Sequence, residues 1–120
     1  MLEVEREYSF ELLNDSSISE YEFVDIEIER KSGGTYIEIY NEELDETFRL
    51  EGLSSNDNKI KIYGEDMLYV ENIDKKDKNM RPLIKKDDWL RLIYGVNNIT
   101  IKTDGVWYVQ MTYQEKNPLV

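Results

Sequence analysis

The stretch YGVNNITIKTDGVWYVQMTY, residues 94–113, has two runs of alternating apolar residues on either side of Asp104-Gly105. An Asp-Gly pair between such runs is a strong short-range signal for a β-hairpin. A two-residue loop would place the apolar residues of the two runs on opposite faces, because side chains alternate along a strand. A three-residue loop at 103–105 places them on one face and puts Gly105 where a bulge needs a positive φ. The sequence therefore predicts a hairpin with a bulged turn at 103–105.

This register also predicts which tryptophan and aliphatic side chains form the core. It pairs Ile101 with Trp107 and Ile99 with Val109, so all four side chains are expected to be buried together. Trp89 is expected to be a core residue as well, because it falls on the inward face of its segment.

The rest of the chain shows the same period of two, which is typical of strands with one wet face. Residues 31–34 and 54–58 read as turns or loops, and residues 72–88 as an irregular excursion. Residues 86–95 are the one stretch with a helical period, in which Asp87 or Asp88 could cap a single turn. The sequence predicts one all-β domain over residues 1–120 with a core at about 8–115. It is expected to be an antiparallel two-sheet sandwich of about eight strands, jelly-roll or galectin-like. The predicted strands before residue 94 are 7–13, 21–30, 35–41, 46–53, 59–64 and 67–72.

Composition excludes several classes of site. The 120 residues include no cysteine and no histidine, which removes disulfides, thiol catalysis, the commonest general base and the commonest zinc ligand. No nucleotide motif is present, so no cofactor is predicted. No apolar run is long enough to span a bilayer and no signal-peptide pattern opens the chain, so secretion by a signal peptide and membrane insertion are not expected.

Charge is high and unevenly distributed. The net charge is −11, which argues against a nucleic-acid partner. Residues 1–74 carry 21 acidic and 6 basic side chains, whereas residues 75–120 carry 5 and 9. The asymmetry fits solvated strand faces followed by a lysine-rich loop, and it also fits charge complementarity between neighbouring copies in an assembly.

Five short motifs follow one another in a specific order. The ordered set resembles the C-terminal half of the distal tail protein (Dit) family of phages with long non-contractile tails, over residues 8–115. Its most specific part is Gly-x-Asn-x-Ile-x-Ile, in which Gly95 adopts a conformation closed to other residues and Asn97 hydrogen-bonds into the turn. The motifs are IEIYN (37–41), LEGL (50–53), IKIYG (60–64), GVNNITI (95–101) and the closing VQMTY (109–113).

The resemblance implies a non-catalytic structural component of a phage or prophage tail tip or baseplate. It implies that the protein is made in the bacterial host cytoplasm and ends in the virion tail. The implied partners are the tail tube, the tape measure and a tail-associated fibre or lysin. Nothing matches the N-terminal ring-forming domain of the family, so the chain resembles an isolated C-terminal domain. By itself it is expected to be monomeric or weakly associated.

Three exposed residues on one strand, Tyr36, Glu38 and Tyr40, are the candidate contacts for a partner protein or for host cell-wall glycan, because sugars stack on aromatic rings beside polar groups. A carbohydrate-binding module is therefore the alternative function. A glycosidase pair among Glu27, Glu29 and Glu38 is disfavoured, since strand carboxylates are usually solvated.

A calcium site is disfavoured in the polar segment at residues 72–79. Its oxygen-bearing side chains lie close together in the sequence, but Lys76 and Asp77 stand where an EF-hand needs a ligand and a glycine. No metal site is therefore predicted there. The side chains considered are Asn72, Asp74, Asp77 and Asn79.

Overall fold

The computed structural model describes residues 2–15, 21–64, 69–88 and 91–113. These residues form eight strands and one turn of 3-10 helix at Arg81–Leu83, and all strand pairs are antiparallel. The prediction of an antiparallel all-β fold is confirmed. The strands are β1 (Leu2–Asn14), β2 (Tyr21–Asn41), β3 (Glu46–Glu51), β4 (Lys59–Tyr63), β5 (Tyr69–Asn72), β6 (Ile84–Asp87), β7 (Arg91–Ile93) and β8 (Gly95–Tyr113). No helix among the described residues has the length and the apolar composition of a membrane span.

Two long strands, β2 and β8, form the centre of the sheet and pair along most of their length. Five strands run in the order β1-β8-β2-β3-β6. β3 pairs with the second half of β2, whereas β4 pairs with the first half and carries β5 on its far side. β7 pairs with the first three residues of β2.

The hairpin predicted at 103–105 is wrong. β8 passes through Asp104 and Gly105 without turning, with β1 on one side and β2 on the other. Gly105 does not have a positive φ. A Cβ added at Gly105 would lie 2.5 Å from the backbone nitrogen of Gly34 in β2. Gly105 is therefore required by the close approach of two strands rather than by a turn.

The turn predicted at residues 31–34 is wrong for a related reason. β2 continues through this segment, and its register with β8 shifts twice, so the chain bulges instead of reversing. Gly33 and Gly34 have φ values of 58° and 91°, which place the irregularity at residues without a side chain. The Asp104 carboxylate accepts a hydrogen bond from the Thr35 backbone N–H at 2.7 Å, which satisfies a donor at the irregular ladder.

The helical turn predicted within 86–95 is also wrong where the structure describes it, because Arg91–Ile93 is the strand β7. Trp89, expected in the core, lies outside the described residues. The excursion predicted at 72–88 is irregular up to Met80 and then contains the 3-10 turn and β6. The loop predicted at 54–58 is confirmed.

The core lies on one face of the sheet and draws on both halves of the long strands. The expected burial of Ile99, Ile101, Trp107 and Val109 is confirmed, and Trp107 is fully buried. They share a face because a continuous strand keeps its odd-numbered side chains on one side, as the bulged hairpin would also have done. The other members of the core are Val4, Val24, Ile26, Ile28, Ile37, Ile39, Phe48, Leu50, Leu53, Ile60, Ile62, Val70, Met80 and Leu92.

Candidate functional site

The predicted contact residues Tyr36, Glu38 and Tyr40 lie together on the outer face of β2. Their neighbours Ile37 and Ile39 are buried, so strict alternation directs the three polar side chains away from the core. All three are only partly exposed, because side chains from adjoining segments cover them. The structure therefore brings the candidate residues together and provides each of them with an intramolecular partner.

Arg49 of β3 is the centre of this outer face. Its guanidinium lies 4.1 Å from the ring centroid of Tyr36 and forms ion pairs of 3.3 Å with both Glu38 and Glu51. Burial alone would lower the pKa of Arg49, but the hydrogen bonds and charges of Glu51 and Glu38 raise it. One face of the Tyr36 ring is thus occupied by a cation, and the Glu38 carboxylate is neutralised by it.

Tyr40 is held by the turn that follows β2. Its hydroxyl donates a hydrogen bond of 2.9 Å to the Asp45 carboxylate, which raises the pKa of Tyr40. Asp45 has a φ of 51°, a left-handed conformation that aspartate tolerates better than most residues. The phenol is therefore positioned by the tight connection between β2 and β3.

The outer face continues across β8 and β1 as rows of polar side chains. Lys102 lies opposite Glu38 and 3.9 Å from Glu7, so charges of alternating sign cross three strands. In the next row, the hydroxyls of Thr100 and Ser9 form a hydrogen bond of 3.0 Å. Such cross-strand pairs stabilise a solvated sheet face modestly.

The carboxylates considered for glycoside hydrolysis do not form an isolated acid pair. Glu27 lies opposite Lys61 of β4, and Glu29 lies opposite Lys59 with 3.9 Å between the charged atoms. Glu38 lies beyond the bulge and pairs with Arg49. Each of the three is placed beside a base on the neighbouring strand.

A buried carboxylate that the sequence analysis missed is Asp57, in the loop between β3 and β4. It is fully buried, and one carboxylate oxygen lies 2.6 Å from the Lys78 ammonium and 2.8 Å from the Asn72 side-chain nitrogen. The other oxygen accepts hydrogen bonds from the backbone N–H and the hydroxyl of Ser54. Burial alone would raise the pKa of Asp57, but Lys78 and Ser54 outweigh it and lower the pKa. We call these four residues the Asp57 cluster.

The Asp57 cluster explains why the polar segment at residues 72–79 is rich in oxygen-bearing side chains without forming a calcium site. The Asn72 side-chain oxygen accepts hydrogen bonds from the backbone N–H groups of Asp74 and Lys75, so Asn72 shapes the loop instead of pointing at an ion. In the described parts of the chain, no three acidic, histidine or cysteine residues group in a way that fits a metal ion. The only sequence signal for Asp57 was its place three residues after Ser54, a spacing suited to a local side-chain turn.

A second buried polar group consists of Asn14, Asn41 and Asn97, which we call the amide cluster. Each side-chain nitrogen donates to a different carbonyl of β7: Asn41 to Arg91 at 3.0 Å, Asn14 to Leu92 at 3.1 Å and Asn97 to Ile93 at 2.9 Å. The Asn97 side-chain oxygen accepts from the Asn41 side chain at 3.0 Å and from the Ile93 backbone N–H at 2.9 Å.

The predicted role of the Gly95-to-Ile101 motif is confirmed by this geometry. Gly95 has a φ of 100°, and Asn97 closes the turn between β7 and β8 by bonding to Ile93 on its far side. Beside the amide cluster lies a cavity of about 20 Å³ with a mainly apolar lining, which is room for about one water molecule. The cavity is too small for a sugar.

The chain was compared with protein families, curated proteins and solved structures. No protein-family model matches it, and no curated protein or solved structure gives a significant match.

Proposed function

We propose that this protein is a structural module of a phage or prophage tail tip, similar to the C-terminal domain of distal tail proteins, and that it presents a surface to partner proteins without catalysing a reaction. Its eight-stranded sheet would fold over its single core as a jelly-roll-like sandwich. It would reside in the virion tail, in contact with the tail tube, the tape measure or a tail-associated fibre or lysin.

The observation that carries this proposal is the contact between Asn41 and Asn97. Asn41 is the polar end of the IEIYN motif and Asn97 is the polar position of the GVNNITI motif. They lie 56 residues apart in the sequence, and their side chains join at 3.0 Å in the buried amide cluster. The two motifs are parts of one structural unit, which supports interpreting their order as a family pattern rather than as separate coincidences.

The use of the carboxylates supports a non-catalytic role. Glu38, Glu46 and Asp57 each form an ion pair with a basic side chain of another strand or loop. Asp104 is used as a hydrogen-bond acceptor for the backbone of β2. Acids that are engaged in this way stabilise the fold and are poorly placed to exchange protons with a substrate.

The experiment that tests the proposal is localisation on particles. An antibody raised against this chain should label the tail tip of particles released by the encoding cells, as seen by electron microscopy. The flanking genes should encode a tape measure and a fibre or lysin. Particles that carry no label, together with flanking genes of an unrelated process, would contradict the proposal.

Titration with cell-wall saccharides, followed by calorimetry, tests the alternative of glycan recognition. We expect no saturable heat, because Arg49 already covers one face of the Tyr36 ring. A Tyr36→Ala/Tyr40→Ala variant tests the predicted face, and Tyr94→Ala is a matched control because Tyr94 is exposed outside that face, between β7 and β8. Saturable binding that only the double variant loses would replace the structural proposal by carbohydrate binding.

A further inference from the structure

Among the strands that the structure describes, the two ends of the strand order are open edges of the sheet. In the described parts of the chain, β1 forms a ladder only with β8, and β6 forms a ladder only with β3. An open edge offers a row of backbone N–H and C=O groups to which another strand can be added. The charges on these two edges are of opposite sign.

The β1 edge is acidic on its outer face, where glutamates occupy four of the first five alternating positions. Glu3 and Glu7 have cationic neighbours at 2.9 and 3.9 Å, but Glu5 and Glu11 form no ion pair within the described residues. The glutamates are Glu3, Glu5, Glu7 and Glu11. Since all four are exposed, this edge presents a negative row to an approaching strand.

The β6 edge is basic. Lys85 and Lys86 are exposed, and neither forms an ion pair among the residues that the structure describes. Lys86 lies opposite Arg49 on β3, and Arg81 is exposed just before the strand. The like charge of Arg49 adds to the positive potential of this edge, although Asp87 ends the strand.

Incompletely covered apolar side chains accompany both edges. On the inner face of β1, Tyr8 is 41% exposed, and its ring packs against the half-buried ring of Phe10 with 5.7 Å between the centroids and a tilt of 43° between the planes. On β6, Ile84 is half-buried against the core. An added strand would cover these side chains while it pairs the backbone, and both effects favour association.

We infer that copies of this chain associate head to tail, with the β6 edge of one copy added to the β1 edge of the next. Pairing of β1 with a second β1 would oppose glutamates, and pairing of β6 with β6 would oppose lysines, so both symmetric arrangements are disfavoured. Two further strands, β5 and β7, also form a ladder with only one strand each within the described residues. Glu71 of β5 lies opposite Lys61, and Arg91 of β7 is paired with Glu46. Only the β6-to-β1 pairing joins opposite charges that have no partner within the described residues.

The association is weak and depends on salt. β6 has four residues, which limits the number of backbone hydrogen bonds, and the net charge of −11 makes copies repel at long range. A head-to-tail interface is heterologous, so it generates rings or open chains rather than a symmetric dimer. This inference stands on the edges alone and does not rest on the phage-tail assignment.

A charge-swap mixing experiment tests the inference with the full chain. The E7K/E11K variant replaces two of the four glutamates of the β1 edge by lysines, which removes its negative row, and the K85E/K86E variant has an acidic β6 edge. Each variant is therefore expected to stay at the monomer mass of 14.3 kDa. An equimolar mixture restores opposite charges at both contacts. The β1 edge of the E7K/E11K variant meets the acidic β6 edge of the K85E/K86E variant, and the unchanged β6 edge of the E7K/E11K variant meets the unchanged β1 edge of the K85E/K86E variant. Light scattering at low salt should show the apparent mass rising with concentration for the wild type and for the mixture only.

Amide hydrogen exchange gives an independent readout, because it should slow in β1 and β6 when the wild type associates. K75E/K76E is the matched control, with the same charge change at exposed lysines of a loop. High salt should return the wild type to the monomer mass, since exposed charges are screened beyond ~3 Å at 1 M salt. The inference is wrong if the mixture stays monomeric, if the control abolishes association equally, or if the wild type forms a salt-resistant oligomer or a discrete dimer.

Discussion

The amide cluster and the Asp57 cluster solve the same problem with different chemistry. Each buries polar side chains from distant segments, and each fixes an irregular part of the chain against the sheet. The amide cluster holds β7 through three neutral donors, Asn14, Asn41 and Asn97. The Asp57 cluster joins the loop before β4 to the loop after β5 through a buried carboxylate and the Lys78 ammonium.

The difference lies in how the two clusters respond to solution conditions. Neutral amides keep their donors and acceptors at every pH, so the amide cluster should contribute a constant free energy of unfolding. A carboxylate with a lowered pKa contributes stability only while it is ionised. The amide cluster lies at the two ends of β2, because Asn41 ends that strand and β7 pairs with its first three residues. The Asp57 cluster lies beside the middle of β2, where the Asp57 backbone carbonyl accepts a hydrogen bond of 3.1 Å from Arg30.

Asn97→Ala should have the largest effect, a loss of about 3–4 kcal/mol in the free energy of unfolding. The substitution removes the acceptor of the Ile93 backbone N–H and of one Asn41 side-chain N–H, while Asn41 keeps its bond to Arg91, and each unsatisfied group costs about 1–3 kcal/mol. Urea unfolding at pH 4 and pH 7 should give the same loss. Asn58→Ala is the control and should cost less than about 1 kcal/mol, because Asn58 is exposed and its side chain donates a hydrogen bond to the Ser55 carbonyl within the same loop. A strongly pH-dependent loss would show that the cluster is not purely neutral.

Gly105→Ala should cost about 2–3 kcal/mol, in the upper range for overpacking. The added Cβ would meet the backbone of Gly34 at 2.5–2.6 Å, and backbone atoms cannot rotate away as a side chain does. Gly105→Asn should be no milder than Gly105→Ala, whereas asparagine would be the better tolerated of the two at a left-handed glycine. Thermal unfolding of the two variants therefore separates the observed crossing from a bulged turn.

Asp57→Asn should cost about 2 kcal/mol at pH 7, since the hydrogen bond to a charged partner is lost and Lys78 keeps its charge. The pKa of Asp57 is lowered on folding, so its contribution is complete above the unfolded pKa of about 4 and is lost as the pH falls through the folded pKa. The difference between wild type and variant should therefore shrink below about pH 4. A difference that stays constant down to pH 3 would show that folding does not lower the pKa of Asp57.

Arg49→Met should have the smallest effect, below about 1 kcal/mol, although Arg49 forms as many ion pairs and ring contacts as any residue of the outer face. Solvent screens these pairs, while Asp57 is fully buried. Chemical denaturation of Arg49→Met beside Asp57→Asn at pH 7 measures the contrast. A larger loss for Arg49→Met would mean that burial does not decide the strength of an ion pair in this fold.

Alternation along the chain was sufficient to predict most of the strand residues and their buried faces, but it did not predict β6 and β7. The positions of Ile26, Ile28, Ile37 and Ile39 follow from period two alone, and so does the shared face of Ile99 and Trp107. The candidate residues on β2 were also predicted to share the outer face, which the structure confirms, but their partner Arg49 was not. Register between strands decides that contact, and the register of β2 with β3 cannot be derived from either strand alone.

The sequence by itself determined the strand content outside β6 and β7, the inward and outward faces and the turn at Gly95 and Asn97, because these depend on side-chain alternation and on contacts within a few residues. Only the tertiary structure decided whether the glycines at 33, 34 and 105 reverse the chain. The sequence alone does not distinguish a glycine that a turn requires from a glycine that the close approach of two strands requires. The position of the neighbouring strand decides which of the two applies. Tertiary structure also decided that Asp57 is buried, since the cation that makes burial of its charge tolerable, Lys78, lies 21 residues further along the chain.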